Sequence, residues 1–343
     1  MPTLAPHTAW DIEKSHLSPL ACAEARLRFA LNYAVLAPSS HNSQPWRFIV
    51  DGDTVMLCAD RTRALSVVDP FDRELVISCG AALFNLRVAL SHFGLGYAIT
   101  LLPSDAEPDV LAKVRVLATA GIDASITSLF HAIARRVTTR EAFRTEAVAP
   151  EIQQRLLGAA EAEGVQAVCI DDLRRREEIA QLIAEADRIQ FHDPRFRREL
   201  ASWIHPRRTD DGMPAYGPGI NTLLDIAVPL VGSAIRTFDL GGGIAAAHES
   251  LVQASPILFC IGTGIDDPQS WLAAGQALER VLLTGVESGL TASYLNQPVE
   301  TEQLRDSLRQ ITGIHAQPQL LLRMGRGPHA AHSLRRSIQD VVS

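Results

Sequence analysis

Lysine is nearly missing from this chain: Lys14 and Lys113 are the only lysines among 32 basic residues. Arginine supplies the rest, a bias that fits GC-rich coding more than function. Cysteine is sparse too. Cys22, Cys58, Cys79, Cys169 and Cys260 are scattered and form no C-x-x-C pair, which excludes a disulfide framework or zinc site and fits a reducing compartment. An excess of positive charge is lacking. With a net charge of −7, neither a nucleic acid nor an anionic membrane is an expected partner. No uninterrupted run approaches about 18 apolar residues, so no spanning helix is expected. The opening MPTLAPHTAW shows no basic region followed by an apolar stretch, so no secretory leader is expected and the cytoplasm is the expected location. G-x-S-x-G, H-E-x-x-H and Walker motifs are missing, and Gly262-Thr263-Gly264 fails as a dinucleotide fingerprint because Asp267 stands at the third glycine. The eleven histidines show no metal-ligand spacing; His248-Glu249 has no partner four residues away, and no metal is expected.

What is present is ordinary globular composition, 47% hydrophobic and 21% charged over 343 residues, enough for two domains with sizeable cores. Residues 78–103 lie over 273–298 without a gap, at a constant offset of 195 that puts Gly80 on Gly275, Gly94 on Gly289 and Pro103 on Pro298. Leu83, Leu86, Leu90 and Phe93 make one helical stripe, and Gly94 then stands where a left-handed cap is expected. The pattern reads as a duplicated α+β unit. Around it, helices are expected at 19–36, 109–118, 125–136, 150–162 and 173–190, a hairpin at 46–60, and strands at 255–262 and 319–325. Residues 202–220 hold three prolines and three glycines without periodicity and are expected to form a long, lid-like loop.

The densest polar cluster is APSSHNSQPWRFIV, 37–50, after the first helix. Ser39, Ser40, Asn42 and Gln44 place two hydroxyls and two amides in six residues, and amides both donate and accept, which suits the edge of a heterocycle. A second cluster, Arg135-Arg136-Val137-Thr138-Thr139-Arg140, offers planar cations to a phosphate.

P-S-S-x-N-x-Q-P-W-x-F after a helix resembles the flavin-binding loop of the nitroreductase superfamily, and the arginine stretch resembles its R-x-[S/T]-x-R phosphate element. SGLTASYLNQP, 288–298, is similar to the stretch whose backbone faces the flavin N5 edge, and LLLRMGRG with Leu334-Arg335-Arg336 resembles the closing strand and basic tail. The fusion of two such units resembles the Acg-like subgroup. The resemblance implies an α+β nitroreductase-like fold: two related units in a pseudo-dimer, each a mixed or antiparallel sheet flanked by helices. The first unit, 1–122, carries the flavin loop. The second, 123–343, carries the arginines, the tail and the lid at 202–220 with Asp211, Met213, Pro214 and Tyr216. The second unit has EAEGVQAVCI where the polar loop would recur, so one of two sites survives.

The resemblance therefore implies one FMN per chain, held by Ser39, Ser40, Asn42, Gln44, Arg136, Thr138, Arg140, Tyr294, Leu295, Asn296, Gln297, Arg335 and Arg336, with the backbone of Asn296 and Gln297 near N5. No protein nucleophile is implied, because the flavin carries the hydride. NADH or NADPH would be the donor and a small molecule, such as a nitroaromatic or quinone, the acceptor. A fused site needs no second chain, so a monomer suffices. Two alternatives stay open: a flavin-sequestering protein whose lid excludes NAD(P)H, and an α+β fold that has lost its flavin.

Overall fold

The computed structural model describes residues 9–10, 12, 22–117, 121–205, 210–214, 228–328 and 330–343, with backbone only at 205, 214 and 228–232. The first unit opens with α1 (Ala23–Ala34), then the hairpin β1 (Trp46–Asp51) and β2 (Thr54–Ala59). Gly52, at φ +57°, makes the hairpin turn. The long helix α2 (Arg73–His92) and strands β3 (Gly96–Leu101) and β4 (Val110–Leu117) complete it. All pairings are antiparallel, in the order β1-β2-β4-β3.

The helix expected at 109–118 is therefore strand β4. Its polar residues, Lys113 and Arg115, alternate with buried Ala112 and Val114, a period of two that fits a half-buried strand between two others. The helix expected at 125–136 is two single turns, α3 (Ala124–Thr127) and α4 (Phe130–Ile133).

The second unit repeats the plan. Helix α5 (Pro150–Glu161) leads into β5 (Gln166–Ile170). Where the first unit has a tight turn, this one carries an insertion: α6 (Leu173–His192), α7 (Pro194–Ser202), the two-residue strands β6 (Ile204–His205) and β7 (Met213–Pro214), α8 (Val228–Thr237) and α9 (Gly241–Gln253). The plan resumes with β8 (Ile257–Thr263), α10 (Pro268–Glu287), β9 (Thr291–Tyr294), the short α11 (Gln297–Glu300), α12 (Glu302–Thr312) and β10 (Gln317–Gly325). The sheet order β5-β8-β10-β9 is the first unit's order again, antiparallel throughout. A last turn, α13 (Ile338–Val341), returns the tail to the first unit, where Ser343 exchanges backbone bonds with Phe48 and Val50 and extends the β1 edge.

The pairing of the two repeats is reciprocal. A Cβ on Gly80 would meet Gly275 Cα at 3.0 Å and press still closer on the Leu272 carbonyl; one on Gly275 would meet Gly80 Cα at 2.9 Å and the Ile77 carbonyl. Leu272 lies 195 residues after Ile77, as Gly275 does after Gly80. Such mutual contacts are the signature of a twofold, isologous interface, here inside one chain. Both helices also end alike. Gly94 and Gly289 have φ +71° and +73°, and Leu95 and Leu290 donate back to Leu90 and Gly285 at 2.9 and 2.8 Å, the cap each glycine permits. The chain is thus an α+β pseudo-dimer built around the α2–α10 crossing. Helix α2 is long and apolar enough to cross a membrane, but 89% of that window is buried between its own sheet, α1 and α10.

Candidate functional site

Proline at position 38 follows the end of α1, and the chain then forms a 3₁₀ turn, Ser40–Asn42. His41, Asn42 and Gln44 have φ of +51°, +54° and +50°. Left-handed conformations cost non-glycine residues about 1–3 kcal/mol each and persist only where the surroundings enforce them. The enforcing bonds are present. Ser39 Oγ accepts from Gln44 N at 2.9 Å. Asn42 Oδ1 accepts from Arg335 at 2.9 Å, while its Nδ2 donates to Gly212 O and Leu334 O, both at 3.1 Å. Gln44 Nε2 donates to Asp210 O at 2.7 Å and Oε1 accepts from Arg336 N at 2.8 Å. The loop is clamped between the insertion and the tail.

Beside it lies a cavity of about 370 Å³, within the range of small-ligand pockets. The first unit contributes the loop and Glu74, Ile77 and Ser78 of α2; the second contributes Thr138, Arg140 and the stretch after β9; the tail contributes Ser333 and Arg335. The insertion closes another wall with Asp187, Phe191, Phe196, Met213, Ile244 and His248. Of the residues singled out in the sequence, Ser39, Ser40, Asn42, Thr138, Arg140, Met213, Tyr294, Asn296, Gln297 and Arg335 meet here.

Among the described side chains, the others do not line it. Gln44 is fully buried and spends its amide on the clamp. Arg136 donates to Leu36 O at 2.9 Å and lies 3.5 Å from buried Glu279. Leu295 packs in the core of the second unit and donates its N–H to Leu321 O. Arg336 caps Asp340 O and lies near Asp60. Asp211 pairs with Arg63, which also stands over Trp203. Pro214 pairs with His205 through the backbone, and Tyr216 lies outside the described residues.

The electrostatics divide the cavity lining. Arg140 and Arg335 have no carboxylate within ion-pair distance among the described residues. Burial, with Arg136 close by, pulls Arg335 down to about 9; Arg140 is exposed as a residue, and partial desolvation of its guanidinium lowers it as well. Burial, then Arg140, pushes His41 down to about 4, so its ring is neutral at pH 7. A second group is acidic. Ser40 Oγ donates to Glu74, and Gln190 donates to Glu300 at 2.6 Å. Burial, then Glu74, raises Glu300 to about 8. Among the described residues, buried His41 Nδ1, Tyr294 Oη and Gln297 Oε1 have no hydrogen-bond partner, which marks polar capacity kept for a ligand.

Sequence reasoning missed Glu74, Glu300 and the pair His248–Asp187, whose Nδ1 and Oδ2 are 2.7 Å apart. His248, without a partner by spacing on its own helix, finds one 61 residues upstream on α6.

No family model matches the chain. It is 31% identical over 322 residues to a Mycobacterium tuberculosis (strain H37Rv) protein named for a conjectured NAD(P)H nitroreductase activity, covering 92% of this chain and 90% of the relative. Acg of the same organism, named in the same way, is 28% identical over 303 residues, covering 88% and 89%. Among solved structures, the FMN- and NADPH-dependent nitroreductase NfnB of Sphigopyxis sp. strain HMH superposes with a TM-score of 0.41 at 19% identity, over 63% of this chain and 97% of that one.

Proposed function

The chain belongs to the NAD(P)H nitroreductase family, and from that footing we propose that it is an FMN-dependent oxidoreductase passing two electrons from NADH or NADPH to a small acceptor, such as a quinone or nitroaromatic. One FMN per chain occupies the cavity between a first unit, 1–122, and a second, 123–343. The observation that carries the reading is a pair of arginines lining the cavity without a carboxylate partner among the described residues: Arg335, which is buried, and Arg140, which is exposed. A buried cation without an anion is costly, and a phosphate dianion supplies one through bidentate, charge-assisted bonds. The uncommitted polar atoms of His41, Tyr294 and Gln297 fit the rest of such a ligand.

When bound, the flavin supplies the hydride chemistry. The chain's own residues hold and shape. Arg140 and Arg335 grip the phosphate, and the hydroxyls of Ser39, Ser40 and Thr138 offer further bonds. Neutral His41 can donate or accept. Asn296 is fixed by accepting from Leu321 N at 3.0 Å, so it and Gln297 present a rigid edge to the ring. Gln44, Arg136 and Arg336 act one layer back by keeping the strained loop in place. Phe191, Phe196 and Met213 exclude water from that wall. Both halves of the site come from one chain, so a monomer is competent.

A flavin store is the second reading. It is favoured by the bonds tying 210–213 onto the loop: Asn42 to Gly212, Gln44 to Asp210 and Arg63 to Asp211. Titrating flavin-free protein with FMN tests the common core of both readings. One FMN per chain, lost in an Arg140→Ala, Arg335→Ala double variant, is the expected result. Two per chain, or undiminished binding by the double variant, contradicts it.

A further inference from the structure

Resting on that oxidoreductase reading, we propose that His248, oriented by Asp187, is the proton donor to the acceptor bound in this cavity. Both residues come from the insertion, Asp187 from α6 and His248 from α9, so neither belongs to the repeated plan. Asp187 is 1% exposed, and its Oδ2 sits 2.7 Å from His248 Nδ1. A carboxylate on Nδ1 fixes the orientation of the ring and leaves Nε2 for a ligand. No described residue bonds Nε2, and the ring lines the cavity with its side chain 28% exposed. Gln297 Nε2, from α11, lies 3.1 Å from the same Nδ1. The other charged groups lining the cavity are Glu300 from α11, Glu74 from α2, Arg140 and tail Arg335, with Gln190 of α6 committed to Glu300.

A dyad of this kind contributes nothing to holding a phosphate, but a two-electron reduction needs a proton as well as a hydride. A quinone that accepts a hydride derived from NAD(P)H carries one phenolate oxygen. Nε2–H gives that oxygen its proton: the N–H bond breaks, the O–H bond forms, and water reprotonates the imidazole. Asp187 is a positioning residue that holds the ring with Nε2 toward the cavity.

The test uses FMN-loaded protein with His248→Gln, which keeps an N–H donor but cannot titrate, and Asp187→Asn. First, 4-nitrophenol is titrated into the oxidised protein without nucleotide. Wild type should hold it as the coloured phenolate, and His248→Gln should weaken that binding about tenfold or more. Second, the half-reactions are timed separately. Reoxidation by p-benzoquinone should slow by about 10²-fold or more in His248→Gln, the range of general acid catalysis, while reduction by NADPH changes little. Third, Asp187→Asn should slow the quinone step with NADPH reduction little changed, because the amide no longer orients the ring, and His248→Gln should flatten whatever pH dependence the quinone step shows in wild type. Equal slowing of both half-reactions, or unchanged phenolate binding with an unchanged pH dependence in His248→Gln, overturns the proposal and leaves the pair as a strut between α6 and α9. Protein that takes up no FMN overturns the parent reading, and the proposal with it.

Discussion

Replacing Gly275 by alanine should destabilise this protein, although the same change in a helix ordinarily stabilises. Removing glycine from a helix interior is worth about 0.5–1 kcal/mol in alanine's favour. At Gly275 the new methyl would sit against the Ile77 carbonyl and 2.9 Å from Gly80 Cα, both backbone atoms of a buried helix that cannot rotate aside. Overpacking of that kind costs about 1–3 kcal/mol and more where backbone must move. The net expectation is a loss of about 2 kcal/mol or more, with Gly80→Ala losing a similar amount against the Leu272 carbonyl. Both methyls contest one crossing, so the double variant should lose less than the two singles together. Gly158, exposed on α5 with nothing within 4 Å of its Cβ position, is the internal control and should gain about 0.5–1 kcal/mol on becoming alanine. Urea unfolding of the four variants beside wild type gives the signs. If Gly275→Ala stabilises as Gly158→Ala does, the helices do not meet at these glycines and the internal twofold is wrong.

Arg140→Ala and Arg335→Ala should each weaken FMN binding by about 1.5–3 kcal/mol per lost charged hydrogen bond, measured by equilibrium dialysis. Arg136→Ala should act mainly on stability, since it strands buried Glu279 beside an empty space; the thermal midpoint should fall more than FMN affinity does. Burial raises Asp69 to about 6, Glu279 to about 7 and Glu300 to about 8. Their raised folded-state values add stability that is full below the ordinary carboxylate range and is lost as pH climbs toward about 8. The flavin-free protein should therefore melt lower at pH 8 than at pH 5, and Glu300→Gln should flatten that slope.

The repeat was legible because glycine is demanded at two kinds of place, a close helix crossing and a left-handed cap, and both recur at one offset. The polar loop was legible from residue type, but chemistry does not say which way a side chain points. Asn42 and Gln44 read alike, yet only Asn42 lines the cavity while Gln44 is wholly spent on the clamp. Arg136 and Arg140 frame one motif, and the packing of Arg136 on Leu36 O and Glu279 separates them. Strand β4 escaped a helical reading only in the structure, where β2 and β3 flank it. His248 and Asp187 could not be joined from sequence, since their contact depends on how α6 and α9 pack within the insertion.

The most direct measurement is the visible spectrum of the purified protein, with its flavin content, before and after anaerobic NADPH and then NADH. One flavin per chain that bleaches with either nucleotide is the result expected of the oxidoreductase. One flavin that stays oxidised with both nucleotides and bleaches only with dithionite contradicts turnover and leaves a flavin store. Protein that binds no flavin even after incubation with FMN contradicts the site itself.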